Sequence, residues 1–227
     1  MPGADTLRVD IAAKRYGSRE VLHDVSFSAC PGEILALLAP SGTGKTTTLR
    51  ILLGLETRFS GSVQRPPGAL GTVFQEPRLL PWMNVAANLR LAAPLLADDQ
   101  IDTLLALAGV EGCAARMPKE LSLGMARRVS LARALAVAPG LLVMDEPFAS
   151  LDARLGARLG RDITAHARSL GAIVVMATHD LDQALDIADR ILVLSGTGPA
   201  TLGADLHTAH ATAPALRARF AFLQAGQ

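Results

Sequence analysis

An apolar run, Ile34–Leu38, leads directly into Ala39-Pro40-Ser41-Gly42-Thr43-Gly44-Lys45-Thr46 and then into residues with helical spacing up to Gly54. Few features constrain a fold so tightly. A buried strand that feeds a glycine-containing loop and then a helix N-terminus aims successive backbone N–H groups and a positive helix end at one point. Such a loop holds phosphate. The Lys45 ammonium reaches the outer phosphates of a nucleoside triphosphate, the Thr46 hydroxyl supplies a ligand for Mg²⁺, and Ser41, Gly42, Thr43, Gly44 and Thr47 complete the expected lining. A Gly-rich turn with an incidental lysine is the bland alternative, and the strand before and the helix after argue against it. Ala39 stands where such loops usually begin with glycine. Its methyl group is tolerated if the backbone there keeps φ negative and strains the loop otherwise.

The rest of the chain supplies the sheet that such a loop needs. Ile34–Leu38 and the runs 141–144, 172–176 and 191–194 are short, apolar and rich in leucine or β-branched residues, as buried strands are. Segments 46–53, 125–137, 153–170 and 181–188 carry helical periodicity between them, so a parallel sheet with helices on its faces is expected. Residues 7–12 and 21–28 alternate instead and are split by Tyr16-Gly17-Ser18, which predicts a small antiparallel β piece. From Pro77 to about Leu121, with Pro81, Pro94 and Pro118 as punctuation, the chain reads as a helical insertion. The 227 residues are 50% apolar and 19% charged, enough for a buried core and against intrinsic disorder. A net charge of +1 gives no general field for a polyanion, so nucleic acid is not an expected partner. Cys30 and Cys113 have no metal-ligand spacing and suit a reducing compartment. The longest apolar stretches, 34–39 and 91–97, fall short of the ~20 residues a spanning helix needs. The first residues lack the basic start and apolar region of a secretory signal, and none is expected.

A second constellation fits the phosphate loop. Leu141-Leu142-Val143-Met144-Asp145-Glu146-Pro147 is a buried strand ending in two carboxylates, which is reasonable only where something cationic meets them. Mg²⁺ is the candidate. Asp145 at the strand tip would hold the metal through water, and Glu146 would polarise the attacking water as a general base. A surface turn with ordinary acids is the alternative for this segment taken alone.

Taken in order along nearly the whole chain, these motifs resemble an ABC-transporter ATPase subunit. The most diagnostic stretch is Leu121-Ser122-Leu123-Gly124-Met125, followed by Ala126-Arg127-Arg128-Val129 and Leu131-Ala132-Arg133-Ala134-Leu135, which is similar to that family's signature motif. Physically it is a second helix N-terminus presenting the Ser122 hydroxyl and the Gly124 N–H to an anion. The resemblance implies that two subunits pack head to tail, each signature capping the nucleotide on the other's phosphate loop. Leu123 replaces the motif's usual first glycine, while the serine and second glycine that the family uses for phosphate are kept. Gln75 matches the family's glutamine loop, whose amide reaches Mg²⁺ and the attacking water. His179, after the run 172–176, resembles the switch histidine that hydrogen-bonds the γ-phosphate. Asp152 resembles the loop that crosses the dimer interface, and without the family it is simply a helix N-cap. Tyr16 stands where the family places an aromatic ring on adenine. The other histidines, His23, His166, His207 and His210, show no ligand spacing and read as surface or packing residues. The implied fold is α/β: a P-loop NTPase (RecA-like) parallel-sheet core, with a small N-terminal antiparallel β subdomain. The core spans 1–76 and 136–227, and an inserted helical subdomain, 77–135, ends in the signature.

Glu76-Pro77-Arg78-Leu79-Leu80-Pro81-Trp82 resembles the same segment in importers of nitrate, sulfonate and taurine, where the family docks its permease. Trp82 is the chain's one tryptophan and suits an interface core, unless it is buried within the insertion. The resemblance thus implies Mg²⁺-dependent ATP hydrolysis that drives solute import. The implied partners are transmembrane permease subunits, a second ATPase subunit and, indirectly, an extracytoplasmic solute-binding protein. The implied location is peripheral, on the cytoplasmic face of the cell membrane. A soluble ABC ATPase of DNA repair or translation would carry two cassettes or a coiled-coil insertion, and neither is present. A regulator that scarcely hydrolyses, suggested by Ala39 and Leu123, is opposed by intact Lys45, Asp145, Glu146 and His179. A small-molecule kinase would leave the signature unexplained. The tail from Gly196 to Gln227 reads as too short for an added regulatory domain.

Overall fold

The computed structural model describes residues 5–149, 151–196 and 198–210; the first four residues, Ser150, Thr197 and most of the tail from Gly196 lie outside the described residues. In chain order the elements are β1 (Leu7–Tyr16), β2 (Arg19–Ala29), β3 (Ile34–Leu38), α1 (Lys45–Leu52), β4 (Ser60–Gln64) and β5 (Leu70–Val73). They continue with α2 (Val85–Ala92), α3 (Asp98–Leu107), a 3₁₀ turn at Pro118–Glu120, α4 (Leu123–Ala136), β6 (Leu141–Asp145) and α5 (Ala153–Ser169). The last are β7 (Ile173–Thr178), α6 (Leu181–Ile187), β8 (Arg190–Ser195), β9 (Thr201–His207) and a second 3₁₀ turn.

Six strands form the central sheet in the order β5-β6-β7-β3-β8-β9, parallel except for the β8/β9 pair. The runs that read as buried strands are its middle. Strand side chains alternate between faces, and here both faces are covered, which is why the stretches 34–38, 141–144, 173–177 and 191–194 are apolar at every position. Ile34, Ala36, Leu142, Met144, Val174, Met176 and Ile191 pack under the helices with Leu89, Leu105, Leu131 and Ile163. Their neighbours Leu35, Leu37, Leu141, Val143, Ile173 and Val175 face α1 and the small sheet, where Leu7, Val9, Ile11, Val25 and Leu52 close the second core.

The small sheet has three strands in the order β2-β1-β4, all antiparallel, where the sequence reading expected two. β4 escaped because its residues, Ser-Gly-Ser-Val-Gln, are mostly exposed on an edge and show no apolar alternation. β1 also runs further than expected, and Tyr16 is its last residue, paired with Arg19, rather than part of the turn. β5 was missed because it is four residues long and contains Gly71. That glycine permits close packing: a Cβ there would lie 2.6 Å from the Ala134 carbonyl oxygen on α4. β9 pairs along one edge only and is half exposed. Between residues 77 and 136 the regular elements are all helical, separated by loops at 77–84, 93–97 and 108–117, and α4 packs on α2, α3 and β5. Among the described residues no helix is long and apolar enough to cross a membrane.

Candidate functional site

The residues singled out in the sequence gather at the carboxyl ends of adjacent strands, where an open parallel sheet leaves its crevice. β3 runs into the glycine loop, β6 ends at Asp145 beside Glu146, β7 ends at Thr178 beside His179, and Gln75 lies two residues beyond β5. A cleft of ≈ 390 Å³ is lined by Tyr16, Ser41, Gly42, Gly44, Lys45, Thr46, Thr47, Gln75, Asp145 and Glu146, with Arg19 and Val21 added. A second, of ≈ 370 Å³, shares Glu146 and takes in Asp152 and His179. Thr43 lines neither and turns its hydroxyl back to donate to the Pro40 carbonyl at 2.9 Å.

The loop's geometry follows from its glycines. Gly42 and Gly44 have φ of 79° and 102°, a region side chains disfavour. Gly44, the N-cap of α1, has a further reason to lack a side chain, since a Cβ would come within 2.7 Å of the Leu22 side chain. Ala39 is not among the described residues with positive φ, and its methyl group is buried in the core, so the loop accommodates it without backbone strain. Lys45 is buried, its Nζ donating to the carbonyls of Ala39 at 2.5 Å and Pro40 at 3.3 Å and lying 3.6 Å from Glu146 Oε1.

The two acids sit in different environments. Asp145 Oδ2 accepts from the Thr46 hydroxyl at 2.8 Å. Burial pushes the Asp145 carboxyl above its ordinary range; the Glu146 charge adds to the rise, while the Thr46 hydrogen bond and Lys45 oppose it. Glu146 holds a φ of 49°, costly for a side-chain-bearing residue, by about 1 kcal/mol or more. Its N–H is tied to the Ala177 carbonyl at 3.0 Å, and its carboxylate meets His179 Nδ1 at 2.9 and 3.0 Å. The sequence reading sent His179 to phosphate and did not foresee this pairing across 33 residues. Only the adjacency of β6 and β7 brings the two together. Thr46 and Asp145, with the Gln75 amide on the same cleft, form an oxygen-only donor set. Such a set suits a hard divalent cation that takes its remaining ligands from phosphate and water.

Ser122 and Trp82 lie apart from both clefts, while Asp152 stands at the edge of the second. Ser122 caps α4, its hydroxyl accepting from the Met125 N–H at 3.2 Å, and neither it nor Gly124 lines either cleft. Asp152 caps α5 by accepting from the Leu155 N–H at 3.0 Å. Trp82 is 70% exposed, which removes the reading that buries it inside the insertion. Two residues that the sequence reading missed fix the loop carrying it. Fully buried Asn88 accepts from the Leu80 N–H at 2.7 Å and donates to the Leu80, Met83 and Asn84 carbonyls. Arg133, on α4, donates to the carbonyls of Arg78 at 2.8 Å and Pro77 at 3.0 Å. A polar residue at a core-facing helix position was the available signal for Asn88.

A family model described as "ABC transporter" matches residues 22–149. The aliphatic sulfonates import ATP-binding protein SsuB 1 of Pseudomonas aeruginosa (strain UCBPP-PA14) is 43% identical over 197 residues, covering 81% of this chain and 79% of the relative. The protein of the same name in Xanthomonas axonopodis pv. citri is 42% identical over 204 residues, covering 84% of this chain and 81% of the relative. Among solved structures, the dimeric post-hydrolysis state of the ATP-binding cassette MJ0796 bound to ADP and Pi superposes with a TM-score of 0.77 at 24% identity, over 89% of this chain and 98% of that one. This likeness establishes the fold as that of a P-loop NTPase cassette.

Proposed function

Since the chain belongs to the ABC transporter family, we propose that it is the ATP-hydrolysing subunit of an importer that drives uptake of an aliphatic sulfonate, or a related small oxyanion, through a membrane permease. The observation that carries the reading is the convergence of Lys45, Thr46, Asp145 and Glu146 on one cleft from strand ends about a hundred residues apart, with Thr46 to Asp145 at 2.8 Å and Lys45 to Glu146 at 3.6 Å. The phosphates of ATP lie on the N-terminus of α1 and on Lys45, and the adenine lies against Tyr16. Thr46, Asp145 and Gln75 would hold Mg²⁺, which would offset the charge of the phosphates. Glu146 takes the proton of the attacking water, and its contacts with His179 and Lys45 fix its carboxylate. The far edge of the His179 ring serves the γ-phosphate.

Two further parts come from outside the chain. Ser122 and Gly124 sit at an exposed helix end away from both clefts, which supports a head-to-tail dimer in which each signature caps the partner's nucleotide. Exposed Trp82, on a loop pinned by Asn88 and Arg133 just past Gln75, is the permease contact. The subunit is thereby held at the cytoplasmic face of the membrane by its permease. The sulfonate class rests on relatives at 42–43% identity that are named for aliphatic sulfonate import. The test is the assembled transporter in lipid vesicles with its solute-binding protein, supplied in turn with ethanesulfonate, taurine and nitrate. Stimulation of ATP hydrolysis by a sulfonate is expected, and stimulation by nitrate alone would reassign the solute.

A further inference from the structure

Lys14 is 2% exposed and ranks among the largest fully buried side chains of the protein. An inward-facing lysine on a strand otherwise built from Leu7, Val9 and Ile11 needs a cause. Against β4 the register of β1 shifts between Ile11 and Ala13, and this irregularity turns Lys14 inward where simple alternation would have placed Ala13. A buried ammonium is costly unless it is paired. Lys14 Nζ is paired three ways: with Glu56 Oε1 at 2.9 Å, with the Arg58 carbonyl at 2.8 Å, and with the face of the Tyr16 ring, 4.2 Å from its centroid.

Glu56 closes the arrangement. Its carboxylate accepts from the Arg58 N–H at 3.0 Å, and its own N–H donates to Arg50 in the last turn of α1 at 3.1 Å. Lys14, then the Arg58 backbone and more weakly the Tyr16 hydroxyl hold the Glu56 carboxyl below its usual range. Tyr16 itself remains 46% exposed and lines the cleft of the phosphate loop. The ring is therefore held on one face by a cation, and the carboxylate paired with that cation is tied to the helix whose N-terminus carries Lys45.

From this we infer that Lys14 and Glu56 are positioning residues for the nucleotide base: they clamp Tyr16 so that its free face stands at a fixed place relative to the phosphate loop. The inference rests on the reading of Tyr16 as the adenine platform. Pairing a cation to one face of a ring whose other face stacks on a base pre-orders the platform before ATP arrives, which lowers the ordering cost of binding. A merely structural ion pair would be replaced by an apolar residue of similar length with no consequence specific to the base.

Binding of ATP and of inorganic triphosphate, which lacks the base, is measured on the wild-type chain and on Lys14→Met, Glu56→Gln, Tyr16→Ala and Lys14→Met/Tyr16→Ala, each with its melting temperature. Tyr16→Ala is expected to weaken ATP binding by roughly 5–100-fold, the range of a base–aromatic stack. Lys14→Met and Glu56→Gln are expected to weaken it by about 2–10-fold. Triphosphate binding should be unchanged in all of them, and Lys14→Met should add nothing once Tyr16 is gone. Equal losses for ATP and triphosphate, or an unchanged ATP affinity in both Lys14→Met and Glu56→Gln, would overturn the clamp. An unchanged ATP affinity in Tyr16→Ala would instead remove the platform reading and the clamp with it. Glu56→Gln, on the loop rather than in the core, decides the matter if Lys14→Met lowers the melting temperature.

Discussion

Asp145 shows at a single position how a site is maintained against the fold's own preference. Burial holds its carboxyl above the ordinary range, so folding favours the protonated form. Stability linked to that form is present at low pH and is lost as pH rises through the raised pKa, which makes the ionised carboxylate a net cost at neutral pH. Asp145→Asn keeps an acceptor for the Thr46 hydroxyl and removes the charge. It should raise the melting temperature of metal-free protein at neutral pH, raise it less in mild acid, and abolish Mg²⁺-dependent hydrolysis. An equal or lower melting temperature at neutral pH would show that burial does not govern this group. The types and order of Lys45, Thr46, Asp145 and Glu146 were legible in the sequence, because loops and strand ends of that composition have few other uses. The contact of Glu146 with His179 was not, since it depends on strand adjacency and on a positive φ at Glu146. Nor was Lys14, whose inward turn comes from a register shift. The doubt over Ala39 turned on one dihedral angle, which sequence alone does not contain.

At the scale of elements, legibility followed burial. β3, β6, β7 and β8 are covered on both faces and announced themselves as apolar runs, while β4, β5 and β9 are short or lie at edges and need few apolar side chains. Helical periodicity located α4, α5 and α6 to within two residues, with Ser122, Asp152 and Asp180 as their caps. The loop between β5 and α2 had no periodicity to read. Its shape is set by Asn88 and Arg133, and through Arg133 it is tied to the helix that begins at the signature. Trp82 stands exposed on that loop, so removing its side chain should cost the fold little, within about 0.5 kcal/mol for a surface change. Trp82→Ala should therefore leave melting temperature and ATP affinity nearly unchanged. It should lose the permease on purification from detergent, since an interface tryptophan contributes ~2 kcal/mol or more. Full retention of the permease, or a large fall in melting temperature, would contradict a docking role.

At the scale of the whole molecule, one chain carries a complete phosphate loop, two acids and a histidine around its own clefts, and a signature helix end that faces neither. The proposed head-to-tail pair would join these halves, with ATP as a bridge between Lys45 of one protomer and Ser122 of the other. Glu146→Gln protein should accordingly elute as a larger species with ATP than with ADP; equal elution would argue against a bridged homodimer. Such a pair is what the family resemblance implies, the signature preceding the acidic strand and the histidine following it along the chain. The geometry of the pair depends on surfaces that a sequence does not mark. The claim on which everything else depends is that the strand-end site performs hydrolysis with Glu146 as its base. Its most direct test is the steady-state turnover of Glu146→Gln at saturating ATP and Mg²⁺, measured beside its ATP affinity. The expected result is an affinity like that of the wild-type chain with turnover lowered by roughly 10²–10⁴, the weight of a general base. Undiminished turnover in that variant would contradict the account.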